Sequence, residues 1–111
     1  MRKLLLFLFA MLAWQHVRPQ DTIKISGDLL LIRISENALV HVSSAVLPGY
    51  GQVSANGLIY TDRHKAYLFD TPWNDAQTEI LVTYIEKEMG LKVKGFVTNT
   101  WHVDCMGGLG Y

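Results

Sequence analysis

The sequence predicts an α+β fold in which a mostly antiparallel β-sheet packs against one long helix. Up to residue 70, short segments rich in valine, leucine and isoleucine alternate with turn-forming residues, which is typical of successive strands. Between residues 74 and 90 the apolar residues recur with the 3.6-residue period of a helix. A last β-type segment at residues 92–98 follows the helix. At 111 residues, half of them apolar, the chain is expected to form at most one domain.

The first twenty residues have the composition of an export signal. Arg2 and Lys3 precede an apolar run from Leu4 to Trp14. A basic start followed by such a run is typical of a secretory signal peptide, and the run is shorter than the roughly 20 residues that span a bilayer. We therefore expect residues 1–20 to be a signal peptide and residues 21–111 to be periplasmic, without a stable membrane anchor. A buried helix or a short anchor is the alternative interpretation.

Charge and cysteine content give no indication of a nucleic-acid partner or of an internal disulfide. The chain has 10 basic and 10 acidic residues, so its formal net charge is zero. Recognition of nucleic acid or of an anionic membrane would favour a basic excess. Cys105 is the single cysteine, so it has no partner for a disulfide within the chain.

The segments before residue 71 predict an antiparallel meander. Gly27-Asp28, residues 35–37 and residues 62–64 are the turn signals that separate them. Residues 44–55 combine Pro48, Gly49 and Gly51 with apolar side chains, which predicts a mobile loop with exposed apolar groups. Strands are expected at residues 23–25, 29–34, 38–43, 57–61 and 65–70.

One amphipathic helix is predicted after residue 73. Asn74 and Gln77 have the spacing of a capping box, and Gly90 is a typical helix end. The strand–helix–strand order from Lys65 to Thr98 predicts a crossover unit with two parallel strands. The apolar face of the helix is expected to consist of Ala76, Ile80, Leu81, Tyr84, Ile85 and Met89.

Two potential metal ligands follow the last predicted strand. His102 offers an imidazole nitrogen and Asp104 a carboxylate, and zinc binds both kinds of group. A spacing of two residues lets both side chains approach one region if the chain is locally bent. By itself the pattern is weak, because a lone His-x-Asp is more often a structural hydrogen-bonded pair than a metal site.

Three longer stretches are more specific: Ser54–Ile59, Leu68–Glu79 and His102–Tyr111. Through them, residues 21–111 resemble the class B (metallo) beta-lactamases of the first subclass. The resemblance implies the N-terminal half of a four-layer αβ/βα sandwich, with zinc at the sheet edges between two similar halves. It also implies zinc-dependent hydrolysis of the beta-lactam ring, which confers antibiotic resistance, with one or two Zn²⁺ ions in the complete protein.

The resemblance implies a role for each residue of Thr100-Trp101-His102-Val103-Asp104, which falls on the family's His-x-His-x-Asp motif. His102 would be a ligand of the first zinc. Asp104 would be a ligand of the second zinc and the catalytic residue that orients the nucleophile. Thr100 occupies the position of a zinc-ligand histidine, and its hydroxyl is a poor ligand. This departure is compatible with single-zinc behaviour, with a degraded enzyme or with an error in the sequence.

Weaker assignments follow from the same resemblance. Asp70 would lie near the metals and orient their ligands, or alternatively satisfy nearby backbone donors. The segment at residues 44–55 corresponds to a flap over the substrate, where Leu47 and Tyr50 would pack on an apolar group. His41 and His64 have no partner at a suitable spacing, so we expect them to be structural or solvated.

The resemblance names a beta-lactam as the substrate partner and requires a C-terminal half to complete the site. The remaining zinc ligands come from the family's second half, so we expect this chain to be inactive alone. Two alternatives remain open. One is a hydrolase of the same fold that acts on thioesters, against which Cys105 and the flap argue. The other is a non-catalytic secreted β-rich module in which His102 and Asp104 are structural.

Overall fold

In the computed structural model, which describes residues 20–111, six strands form one sheet that a single long helix covers on one face. The sheet order follows the chain from β1 to β6, which confirms the predicted α+β class. The signal peptide predicted for residues 1–20 lies outside the described residues, apart from Gln20. The elements are β1 (Thr22–Lys24), β2 (Leu29–Ser35), β3 (Ala38–Leu47), β4 (Gly51–Asp62), β5 (Lys65–Phe69), α1 (Asp75–Lys87), β6 (Lys92–Val97) and α2 (Val103–Met106).

The strand pairing has two parts. Strands β1 to β5 form an antiparallel meander, as the turn signals predicted. β6 joins the edge of this meander parallel to β5, with α1 as the crossover connection that a parallel pair requires. Neither helix within residues 20–111 is long and apolar enough to cross a membrane.

The prediction of a mobile loop at residues 44–55 was wrong, because this segment belongs to a long β-hairpin. β3 and β4 pair without interruption from Ala38 and Tyr60 to Leu47 and Gly51. Gly49 and Gly51 adopt positive φ angles of 81° and 74°, which glycine tolerates without steric cost. The chain therefore reverses within residues 48–50, and the flanking residues gain ladder hydrogen bonds from each other.

Helix α1 begins and ends as predicted. The side chain of Asn74 accepts a hydrogen bond from the backbone N–H of Gln77 at 2.9 Å, which satisfies one of the free donors at the helix start. Gly90 follows the helix with a φ angle of 67°. The reciprocal half of a capping box is absent here, because the Gln77 side chain points to Asp28 and Ser44 instead, at 2.7 and 2.8 Å.

The predicted apolar face of α1 was partly wrong. Ala76 is exposed and Ile80 is 42% exposed, whereas Gln77 and Thr78 are buried. Hydrogen bonds make this possible: the Thr78 hydroxyl donates to the carbonyl of Asn74, and the Gln77 amide has the two acceptors just described. A buried polar group with partners costs little compared with an unpaired one. The core between sheet and helix contains Leu29, Leu31, Leu39, Ile59, Ala66, Leu68, Leu81 and Ile85.

Gly57 lies at a point of close packing in the centre of the sheet. It pairs with His41 of β3, and a Cβ atom at this position would overlap the His41 imidazole and the Phe69 carbonyl oxygen. At Gly95 of β6, by contrast, no atom lies within 4 Å of an added Cβ. The absence of a side chain is therefore a packing requirement at Gly57 and not at Gly95.

We expect Gly57→Ala to destabilise the chain by about 1–3 kcal/mol, the typical cost of overpacking a close contact. Gly95→Ala is the matched control and should change stability by less than about 1 kcal/mol, since a compatible Gly-to-Ala change has small effects. Urea unfolding of both variants, followed by circular dichroism, measures the difference. Equal stabilities for the two variants would contradict this packing at Gly57.

Candidate functional site

The candidate residues lie in the segments that follow two neighbouring parallel strands. β5 ends at Phe69 and β6 ends at Val97, and these two residues are register partners. The backbone N–H of Asp70 donates to the carbonyl of Val97 at 2.8 Å. Because both strands run in the same direction, the segments that leave them start at the same edge of the sheet, as is common for sites in sheets with parallel strands.

Asp70 forms a sharp bend directly after β5. Its φ angle is +62°, a left-handed conformation that aspartate adopts more readily than most other residues do. One carboxylate oxygen accepts the backbone N–H of Asn99 at 2.6 Å. Asp70 thus satisfies a backbone donor, one of the two roles expected for it, and that donor lies three residues before His102.

Thr71 links the bend to helix α2. Its backbone N–H donates to the carbonyl of Cys105 at 2.8 Å, and its hydroxyl accepts the N–H of Gly108 at 3.0 Å. Thr71 is 1% exposed, so these hydrogen bonds are shielded from water. Gly108 has no room for a side chain, because a Cβ atom would overlap the Thr78 hydroxyl at the start of α1. Helix α2 is therefore fixed to the segment that connects β5 with α1.

His102 and Asp104 occupy the start of α2. His102 is the N-cap residue with an extended backbone and an exposed side chain, and its ring stacks on Trp101 with 4.6 Å between centroids. Asp104 lies in the first helical turn and is half-buried. The hydroxyl of Thr100 accepts the backbone N–H of His102 at 3.1 Å. Thr100 therefore shapes the chain just before the helix.

Cys105 is buried next to two of the candidate residues. Burial raises the pKa of its thiol, and the negative charges and hydrogen bonding of Asp70 and Asp104 raise that pKa further. The fold thus brings the charges of Asp70 and Asp104, which lie 34 positions apart in the sequence, close enough to affect one thiol. A thiol kept protonated in this way is a poor metal ligand, because the thiolate is the form that binds metals.

Leu47 and Tyr50 lie at the tip of the β3–β4 hairpin, away from α2 in the chain. Tyr50 is 83% exposed and Leu47 is half-buried. A depression of about 670 Å³ opens on the face of the sheet that does not carry α1, and Asp70 is part of its lining. Leu47, Tyr50, His102 and Asp104 do not line it. The other lining residues are Val40, Asn56, Gly57, Leu58, Phe69, Val97, Thr98 and Asn99.

The donors of this site fit zinc in kind but do not complete a zinc site. An imidazole nitrogen from His102 and a carboxylate oxygen from Asp104 are both ordinary zinc ligands. Within residues 20–111, however, histidine, cysteine and carboxylate side chains form no group of three or more that could hold a metal ion. Zinc in proteins takes about three or four protein ligands, so His102 and Asp104 alone would not complete such a site.

Sequence reasoning missed the partner of His41. Its side chain is 1% exposed, and Nε2 lies 3.0 Å from the carbonyl oxygen of Asp70. Of the two roles expected for His41, structural and solvated, burial leaves the structural one. The alternation of β3 carried a signal for this burial, since Leu39, His41 and Ser43 share one face. The contact with Asp70, 29 residues away, has no signal in the sequence.

Comparison with known proteins finds relatives and solved structures that are similar to this chain over part of their length. The chain is 43% identical, over 98% of its length, to a metallo-beta-lactamase type 2 from Bacteroides fragilis, and covers 44% of that relative. A metallo-beta-lactamase from Erythrobacter litoralis with beta-mercaptoethanol in its active site has a TM-score of 0.76 and 30% identity, over 81% of this chain and 39% of its own.

A second structure from Erythrobacter litoralis, a metallo-beta-lactamase in a mono-zinc form, has a TM-score of 0.71 and 30% identity over 79% of this chain and 40% of its own. No family model matches the sequence. The chain spans about two fifths of the length of the relatives it matches.

The buried imidazole of His41 makes stability depend on pH. Burial lowers the pKa of His41 below its ordinary value of 6.5, while the carbonyls of Asp70 and Phe69 and the charge of Asp70 oppose part of that shift. Below pH 6.5 the unfolded chain therefore binds a proton that the folded chain binds less well. The contribution of neutral His41 to stability is present above pH 6.5 and is lost as the pH falls towards the folded pKa.

We expect the stability of the chain to fall between pH 7.5 and 5.5, with at most about 1.4 kcal/mol of that loss due to His41. His41→Gln removes the titrating group and should flatten the pH dependence by the same amount. Urea unfolding at both pH values, for the original chain and the variant, checks this. Identical slopes in the two proteins would contradict a lowered pKa for His41.

Proposed function

Because the chain corresponds in sequence and fold to part of a metallo-beta-lactamase, we propose that it belongs to a periplasmic enzyme that hydrolyses the beta-lactam ring with zinc. The observation that carries the proposal is the placement of His102 and Asp104 at the start of α2, which Asp70 and Thr71 hold against the ends of β5 and β6. In the complete protein, this activity would confer resistance to beta-lactam antibiotics.

Each residue has a part in this proposal. Zinc, when bound, would polarise the lactam carbonyl and supply a nucleophilic water at neutral pH. His102 would bind the metal through its exposed ring, which the stack on Trp101 orients. Asp104 would bind a second zinc and orient the nucleophile by accepting its hydrogen bond. Asp70 would hold the segment that leads to His102, because its carboxylate accepts the backbone N–H of Asn99.

The hairpin tip supports a role in substrate binding. Val46 and Tyr50 are 79% and 83% exposed, although each carries an apolar group that water disfavours. An ordered hairpin with exposed apolar groups at its tip can cover a ligand and bury that surface. We propose that Leu47 and Tyr50 pack on an apolar substituent of the beta-lactam.

The chain alone should not hydrolyse beta-lactams, because His102 and Asp104 are two donors and a catalytic zinc takes about three protein ligands. A chimera should be active in which residues 21–111 replace the aligned segment of the Bacteroides fragilis relative. We expect zinc-dependent hydrolysis of a chromogenic beta-lactam by the chimera and none by residues 1–111. Zinc-dependent turnover by residues 1–111 would contradict the first expectation, and a folded but inactive chimera would contradict the second.

In the chimera, His102→Ala and Asp104→Asn should each lower kcat/KM by at least about 100-fold, since even residues that only orient ligands contribute 10–100-fold. His64→Ala and Asp62→Asn are matched controls, because His64 lies in the β4–β5 turn, Asp62 is the last residue of β4, and both are exposed. They should leave kcat/KM nearly unchanged. If the chimera hydrolyses thioesters and not beta-lactams, the chain belongs to a thioester hydrolase of this fold. If the chimera hydrolyses neither substrate, the result favours a non-catalytic module.

Thr100→His should strengthen zinc binding by the chimera. Thr100 stands two residues before His102, and an imidazole there adds a nitrogen ligand where a hydroxyl contributes little. We expect zinc affinity, measured by competition with a chromophoric chelator, to rise by at least about 10-fold, the scale that even indirect changes to a zinc site reach. Thr98→His, also near the end of β6, is the control and should have no such effect. Unchanged affinity in both variants would show that position 100 does not face the metal.

A further inference from the structure

We propose that His41 is a positioning residue for the candidate site, acting through the peptide bond that joins Asp70 to Thr71. The contacts of His41 belong to the folded chain itself, whereas a catalytic role for the residues they position rests on the function proposed above. His41 has no contact with His102 or Asp104 among the hydrogen bonds of the described residues. Its effect on them would therefore be indirect.

The His41 side chain reaches Asp70 by crossing a whole strand. His41 belongs to β3, Asp70 follows β5, and β4 lies between them. Gly57 is the β4 residue paired with His41, and a Cβ atom on it would overlap the imidazole. The crossing is possible because this position of β4 has no side chain. The imidazole consequently lies in the interior, 1% exposed.

The contact fixes both the tautomer of His41 and the direction of the Asp70 carbonyl. A carbonyl oxygen only accepts hydrogen bonds, so Nε2, at 3.0 Å, must carry the proton and donate it. Burial lowers the pKa of the ring, which favours the neutral form, and in that form the single ring proton lies on Nε2. A hydrogen bond shielded from water holds its partner more firmly than an exposed one does.

The Asp70 carbonyl and the Thr71 N–H belong to the same planar peptide group. In a trans peptide these two groups point in opposite directions, and no peptide bond among residues 20–111 is cis. His41 binds the oxygen at one end of this plane. At the other end, the Thr71 N–H donates to the carbonyl of Cys105 at 2.8 Å. Fixing the Asp70 carbonyl oxygen thus orients the Thr71 N–H, which holds α2 through Cys105. Cys105 directly follows Asp104.

The same contact supports the left-handed bend. Asp70 has a φ angle of +62°, which residues other than glycine seldom adopt, so surrounding contacts must maintain it. In this conformation its carboxylate accepts the N–H of Asn99 at 2.6 Å. If the peptide plane after Asp70 turned, both the Asn99 and the Cys105 contacts would weaken. His41 is therefore coupled to both ends of the segment that carries His102.

Amide hydrogen exchange of the full metal-free chain, measured by NMR, tests this role in three variants of His41. His41→Leu removes the donor, and His41→Asn carries an amide that is too short to reach Asp70. His41→Gln keeps an amide N–H at about the distance of Nε2. The backbone amides of Thr71 and Asn99 report on the proposed coupling. The amide of Thr61, which donates to the Asn37 carbonyl, reports on the stability of the sheet elsewhere.

We expect exchange of the Thr71 and Asn99 amides, relative to Thr61, to rise about ten-fold in His41→Leu and His41→Asn, as for the loss of one hydrogen bond. In His41→Gln it should stay within about three-fold of the original chain. If His41→Leu does not fold, the comparison of His41→Asn with His41→Gln decides. Unchanged ratios in the loss variants, or equal increases in all three variants, would show that His41 only fills space.

The proposed function and the positioning role of His41 can be overturned independently, because hydrogen exchange is measured without metal or substrate. A folded chimera that does not hydrolyse beta-lactams, together with the expected exchange pattern, would overturn the function and leave the positioning role. An active chimera with unchanged exchange ratios would overturn the positioning role alone.

Discussion

The bend at Asp70 and Thr71 is the constraint on which the candidate site depends. Two residues there engage three separate parts of the chain: the end of β6 through Val97, the approach to His102 through Asn99, and α2 through Cys105. Each hydrogen bond contributes only about 1 kcal/mol, and the buried Thr71 N–H would cost about 1–3 kcal/mol without its partner. A short segment held at three points has few alternative conformations.

The interior of this fold has an apolar region and a polar region. Leucine and isoleucine fill the space between the sheet and the middle of α1, and their burial supplies the main driving force for folding. Near the start of α1 the interior is polar instead. Gln77 bridges Asp28 and Ser44, and hydrogen bonds from Ser26 and Gln77 lower the pKa of the Asp28 carboxyl. Apolar packing stabilises the scaffold, and the directional polar contacts determine where the site segments lie.

Local patterns predicted most of the fold, because strands, turns and helix caps depend on residues that are close in sequence. The Asn74 cap, the glycine after α1 and the parallel pair β5–β6 were all readable in this way. The hairpin at residues 44–55 was not, because Pro48, Gly49 and Gly51 dominate the local pattern while the stability of the hairpin comes from strand pairing. The buried face of α1 differs from the predicted one, because Gln77 is buried with hydrogen-bond partners that lie 33 and 49 residues away in the sequence.

The site was predictable in part for the same reason. His102 and Asp104 stand out because their side chains are chemically distinctive and close together in sequence. The contacts that hold them, through Thr71 and His41, join strands and loops that only the tertiary fold brings together. The remaining zinc ligands of the proposed enzyme would come from a region that corresponds to the part of its relatives that this chain does not cover.

If this chain presents His102 and Asp104 as zinc ligands in the complete protein, zinc bound to the chimera should lie at both side chains. In an anomalous-difference map at the zinc edge, from crystals of the zinc-loaded chimera, we expect metal peaks about 2.0–2.2 Å from a His102 ring nitrogen and from an Asp104 carboxylate oxygen. Peaks bound by other residues, with neither His102 nor Asp104 within ligand distance, would contradict it.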